Sequence, residues 1–246
     1  MKSGDIYISN QGCSTTIIKY INNENVVVEF NDKYRHRVKT TKANIKNGHV
    51  KNPYHPNVYG IGFLGVGDIA SSSNGVSTNE YHTWMRMLER CYSEKRLLVN
   101  PTYSDVIVCD EWHNFQNFAD WLLKNEHYMK GYDLDKDLLA NDVKVYSPEN
   151  CVFVPQEINK LLSNSKLKNR DLPTGVSFVK SRNKYKARIS ENGQTKNIGD
   201  FSTIKEAHTA YILEKEAYVK STALKWKGKI DARVFIALMS WRVVEL

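Results

Sequence analysis

No run of apolar residues in this 246-residue chain approaches the roughly 20 needed to span a bilayer. The opening stretch MKSGDIYISN lacks the apolar core of a signal peptide. Together these absences predict a soluble intracellular protein with no membrane partner. Cysteine is sparse as well: Cys13, Cys91, Cys109 and Cys151 stand far apart with no CxxC pair. Such spacing argues against a structural zinc site and against a disulfide framework, so the four thiols are expected to be reduced and mostly buried. His36, His49 and His55 have no ligand-like spacing. The glycines of YGIGFLGVG, residues 59–67, are not followed by the Lys-Ser/Thr pair of a phosphate loop. They alternate with bulky apolar residues, as in a strand or an edge hairpin.

Hydrophobic residues make up 41% of the chain, enough for packed cores in two small domains or one large one. The net charge of +8 is unevenly placed. Residues 165–229 hold 15 Lys and Arg against 6 Asp and Glu, so this segment carries +9 and the remainder −1. A block of this kind suits a polyanion such as nucleic acid, with a merely solvated basic surface as the alternative.

Residues 1–56 read as a small all-β, barrel-like domain or curled sheet. TTIIKY and VVVEF flank an Asn-rich turn, and a third strand follows over 34–40. The basic run KYRHRVK within it can grip phosphates or simply be an exposed strand. Residues 57–80 form a linker, with ASSSNGVS as its polar stretch. Asn79 is placed to cap a helix over 80–92 with Trp84, Met87, Leu88 and Cys91 on one face. A strand over 103–109 leads to a second helix from Asp110. Its Trp112, Phe115, Phe118, Trp121 and Leu122 recur at the spacing of a buried face, which favours core packing over base stacking.

The stretch YDLDKDLLANDVKVYSPENCVFVPQEINKLL, residues 132–162, reads as strand, loop, strand and helix, a ββα unit. Alternation groups Asp133 with Asp135 on one side of the first strand, and Asn159 on the helix can return to meet them. Carboxylate and carboxamide oxygens suit Mg²⁺ or Mn²⁺. Here the chain resembles the HNH family of nucleases, in the variant whose last two motif residues are both asparagine. Asp135 matches the metal-binding Asp, Asn150 the middle Asn, and Asn159 the last metal ligand. The family's water-activating His is replaced by Lys136. WMRMLERCY, VIVCDEWHNFQNFADWL and YSPENCVFVPQEIN extend the likeness to a phage-borne branch over residues 81–164. The resemblance implies one divalent ion on Asp135 and Asn159, with Asn150 orienting the base; Asp133 shares the strand face with Asp135, and Lys136, as a point charge, can hold the scissile phosphate. Asp133, Asp137, His113 and His127 are the other candidates for the base.

Residues 171–222 read as three strands and a helix. GVSFV, a strand from Lys184 and a third from Thr195 are joined by a turn at 191–193, and TIKE at 203–206 matches a capping box. With Tyr185, Ala187 and Ile189 turned to the helix, Lys184, Lys186 and Arg188 share the open face, where Arg182, Thr195 and Asn197 can join them. Such a face can enter the major groove of a duplex. GVSF, KYKARI, NIGDF and EAHTAY resemble the APETALA2-type DNA-binding domain of plant ethylene-response factors, which also accompanies mobile HNH nucleases. The Trp often found before the core residue of the third strand is Asn197 here, so base preference does not carry over. Residues 223–246 add a last helix over 231–240.

The expectation is an α+β protein: a β unit, a central ββα-metal unit with supporting helices, and a C-terminal three-stranded sheet plus helix. Its expected activity is metal-dependent cleavage of double-stranded DNA, exerted in the cytoplasm of a phage-infected bacterial cell. Zinc is not expected, and a protein partner is left open for the N-terminal β unit. The rival is a catalytically inactive HNH scaffold that binds DNA or host machinery. RNA binding ranks third, because the cationic strand has no aromatic platform for single strands.

Overall fold

A computed structural model describes residues 1–139, 143–162, 171–191 and 193–243. The architecture is α+β with several small sheets and, among the described residues, no closed barrel. In chain order the elements are β1 (Ile6–Ile8), β2 (Ser14–Asn22), β3 (Asn25–Phe30), β4 (Arg37–Thr40), α1 (Lys42–Lys46), β5 (Ser72–Ser73), β6 (Val76–Ser77), α2 (Asn79–Tyr92), α3 (Glu94–Val99), β7 (Ile107–Val108) and α4 (Phe115–Lys124). There follow β8 (Tyr132–Asp135), β9 (Val145–Tyr146), β10 (Val152–Pro155), α5 (Gln156–Leu162), β11 (Val176–Val179), β12 (Lys184–Glu191), β13 (Gln194–Phe201), α6 (Ile204–Lys225) and α7 (Ala232–Ser240). They fall into two compact units, Met1–Lys124 with Lys144–Ser147, and Asn125–Val143 with Pro148–Leu246.

The first unit opens on an antiparallel sheet in the order β1-β2-β3-β4. It is an open meander, with a core of Ile17, Val26, Val28 and Phe30 closed by Ile45 and Val50. Val26, Val28 and Phe30 alternate along β3, as a strand covered on one face requires. Glu29, between them, is buried and takes Arg37 Nε at 2.7 Å and an ion pair with Arg35. Two cations of the KYRHRVK run are therefore engaged within the protein. Residues 59–67 form turns with single bridges rather than a hairpin. Gly62 packs against Trp84 and Leu88 and Gly67 against Gln116, where a Cβ would collide.

α2 is capped by Thr78 rather than Asn79, through a 3.3 Å bond from Tyr81 N–H. Its Trp84, Met87, Leu88 and Cys91 are buried, as are Trp112, Phe115, Phe118 and Leu122. The aromatic stripe is core, with Trp84 Nε1 donating to Trp112 O at 2.7 Å. Asp110 begins a single 3-10 turn, and the α-helix itself starts at Phe115. The strand expected over 103–109 shrinks to β7, which pairs in parallel with β9.

In the second unit β8 and β10 pair antiparallel and α5 follows directly, so the ββα hairpin forms. β11, β12 and β13 make the three-stranded antiparallel sheet. Thr203 and Glu206 build the expected capping box at the start of α6. That helix runs on to Lys225 and serves two cores. Ala207 joins Val176 and Ala187 of the sheet, whereas Val219 and Ala223 join Val152, Val154 and Ile158 of the hairpin, with Val234 and Leu238 of α7. Asn164 and Asn192, expected in a linker and a turn, lie outside the described residues.

Candidate functional site

The site grows from the pairing of two short strands. Val152 lies opposite Asp135, Phe153 opposite Leu134, and Val154 opposite Asp133. Every residue of β10 is buried, so β8 is backed by core and its two carboxylates share a face. Leu134, on the other face, is buried. α5 starts immediately after β10, and its fourth residue is Asn159. The Asn159 Nδ2 donates to Asp133 Oδ2 at 2.8 Å, closing the strand–helix corner that alternation suggested.

Asp135 ends the strand and shapes the turn after it. Its Oδ1 accepts the N–H groups of Asp137 at 2.9 Å and Leu138 at 2.8 Å. Burial is the dominant influence on this carboxyl and raises it above the ordinary carboxylate range; the Leu138 N–H opposes that, and neighbouring Asp137 adds to it. A carboxylate whose charge is costly and whose second oxygen is not used by the turn is suited to a cation. Two carboxylates and a carboxamide therefore fit a hard divalent ion. Among the described residues no three His, Cys, Asp or Glu side chains cluster as a metal site, and it is the asparagine that completes this set.

Lys136 sits differently. It lies one residue past the end of β8 and is only 6% exposed. Its Nζ forms an ion pair with Asp137. Asn150 lies in the turn before β10 and is half-buried. That turn is held from α7, where Arg233 Nη1 donates to Glu149 O at 3.0 Å. His127 lies in the field of Asp231, the N-cap of α7. His113, in the first unit, has Nε2 3.0 Å from Val108 O and its ring against Tyr92.

The second candidate surface is the open face of the β11-β12-β13 sheet. Ala187 and Ile189 are buried, which leaves Lys184, Lys186 and Arg188 together on the other face. A bulge after Ala187 shifts the register so that Asn197 faces Arg188 and Thr195 faces Ser190. The expected residues thus do share one face. Sequence reading missed its counterweight. Asp200 faces Lys186, accepts Arg182 Nη1 at 2.7 Å, and lies 3.8 Å from Lys186 Nζ. The bulge that brings Asp200 and Asn197 to the same side has no local sequence signal, because two residues of one strand oppose one of the next. Lys184 donates to Ser202 Oγ at 2.8 Å and Arg188 to Ser177 Oγ at 3.1 Å. Arg188 also lines an open groove of about 520 Å³ beside β11, with Asp171, Gly175 and Phe178.

Comparisons with protein-family models, with curated proteins and with solved structures find no match to this chain.

Proposed function

We propose that the chain is a DNA-binding endonuclease of the HNH type, a phage or mobile-element protein that hydrolyses phosphodiester bonds with one Mg²⁺ or Mn²⁺ in the host cytoplasm. The observation that carries the reading is the corner in which Asp133 and Asp135 share a face of β8 and Asn159 bonds back to Asp133. Asp135 and Asn159 would hold the ion, and Asp133 orients the Asn159 amide. A divalent ion there supplies charge to stabilise the leaving oxygen. The open sheet face, with Lys184, Lys186, Arg188, Arg182, Thr195 and Asn197, would grip the duplex, Lys on phosphate and Arg and Asn toward base edges. Asp200 tempers that face and favours binding that depends on registry rather than on charge alone.

One observation favours the rival, a DNA-binding scaffold without catalysis. Lys136 is buried in an ion pair with Asp137, so the position of the family's base is committed to packing. Supercoiled plasmid incubated with Mg²⁺, Mn²⁺ or EDTA separates the two. The endonuclease reading predicts metal-dependent nicking that Asn159→Ala reduces by about 100-fold or more. Intact plasmid that is retarded on a gel, with cleavage appearing only in Lys136→His, supports the scaffold instead.

A further inference from the structure

The N-terminal unit holds a second constellation, unrelated to the metal corner. Cys13 closes the turn between β1 and β2: its N–H donates to Ser9 Oγ at 3.2 Å, and Ser9 N–H donates to Cys13 O at 2.9 Å. His55 arrives on a turn shaped by Asn52. The Asn52 side-chain oxygen accepts Tyr54 N–H at 3.0 Å, and its backbone carbonyl accepts His55 N–H at 3.2 Å. The result places His55 Nδ1 3.4 Å from Cys13 Sγ. Asn52 is only 5% exposed, and its Nδ2 donates to Asp32 Oδ2 at 2.6 Å and lies 3.9 Å from the same sulfur. A nucleophile, a base in hydrogen-bond reach and a buried amide anchored on a carboxylate thus converge on one atom.

We propose that Cys13 is the reactive thiol of this protein, a modification site for soft electrophiles, with His55 as its base. In the tautomer that carries its proton on Nε2, the ring accepts the thiol proton at Nδ1. The sulfur then forms its bond to the electrophilic carbon, and the leaving group departs with the electron pair of the bond that breaks. The Asn52 amide, aligned by Asp32, faces the charge that develops on sulfur. Cys13 and His55 are both only half-buried, so a reagent can reach them. Cys91 and Cys151, at 4% and 0% exposure, are packed in cores and closed to attack. Cys109 is half-buried like Cys13 and is the natural comparison.

Brief treatment of the native 246-residue chain with iodoacetamide, followed by peptide mass spectrometry, reads all four thiols at once. The expected result is alkylation of Cys13 about tenfold faster than Cys109, and a drop of about fivefold or more at Cys13 in His55→Gln while Cys91 stays unmodified. Protection of Cys91 certifies that the variant is folded. If His55→Gln instead exposes Cys91, the wild-type ratio of Cys13 to Cys109 decides alone. Rates within about twofold of each other in the wild type, or an unchanged Cys13 rate in a folded His55→Gln, would overturn the proposal.

Discussion

Asp135 has two duties that substitution can separate. As a turn former it accepts two backbone N–H groups through Oδ1, and as a carboxylate it carries a charge that burial makes costly. Asp135→Asn keeps an oxygen for the turn and removes the charge, so thermal unfolding of the metal-free protein should change little. Asp135→Ala strands both N–H groups and should cost about 1–2 kcal/mol in urea unfolding. Equal losses in the two variants would mean that the charge itself holds the loop. Gly175 offers a sharper backbone case. Its φ is +82°, and a Cβ there would lie 2.1 Å from the Tyr211 ring. Gly175→Ala is expected to lower stability by about 2–3 kcal/mol, read by the same denaturation; a neutral result would contradict the close packing of β11 on α6. At this scale the sequence spoke clearly where a rule is local. The period of two along YDLD placed both carboxylates together, whereas the burial of Lys136, one residue past the strand, had no such signal.

α6 is the element that ties the second unit together. Its N-terminal half packs on the basic sheet, and its C-terminal half packs on the ββα hairpin. Polar contacts reinforce the second junction: Lys215 Nζ donates to Leu161 O at 2.7 Å, and Lys225 and Trp226 donate to Glu157 at 2.8 and 2.9 Å. The Lys225 bond holds the Glu157 carboxyl below its ordinary range, with Trp226 adding to it and burial opposing. A carboxyl lowered by folding stabilises the protein fully above the ordinary carboxylate range, and that contribution is lost as pH falls through the lowered value. Glu157→Gln should therefore destabilise by roughly 0.5–1 kcal/mol at neutral pH, given its partial exposure. The difference from wild type should vanish in acid. A gap that persists unchanged into strong acid would assign the effect to packing instead. The start of α6 was legible because a capping box needs only four residues, whereas its end was expected within the unit that closes at residue 222. The reason for the longer helix is tertiary: Val219 and Ala223 have a core to enter, and the helix ends at Lys225, ahead of a turn that contains Gly228, with φ +76°. The β13 bulge was equally beyond local reading, because register depends on the partner strand.

On the scale of the whole molecule, the sequence boundaries and the structural units divide the chain differently. The aromatic helices α2 and α4, read with the ββα hairpin, pack in the unit that carries the N-terminal sheet, and the hairpin packs with α6 and α7. Residues 144–147, within the loop between β8 and β10, belong to the first unit through the pairing of β9 with β7. No alternation of single residues reports such a crossing, since β9 is two residues long. Of the positive charge in residues 165–229, Arg182, Lys184, Lys186 and Arg188 gather on one sheet face, tempered by Asp200. No described helix is long and apolar enough to cross a membrane. If the open sheet face grips a duplex, retardation of linear DNA should weaken steeply with salt, and Lys186→Ala should lessen that dependence by about one counterion. A slope that Lys186→Ala leaves unchanged would place the duplex elsewhere.

The central claim is that the β8, β10 and α5 corner is a divalent-metal site that cuts DNA, and nicking of supercoiled plasmid by wild type and Asp135→Asn in parallel tests it most directly. The account predicts relaxed circles from the wild type with Mg²⁺ or Mn²⁺, none with EDTA, and a rate about 100-fold lower from the folded variant. Nicking that survives EDTA, or that Asp135→Asn performs at the wild-type rate, would contradict it.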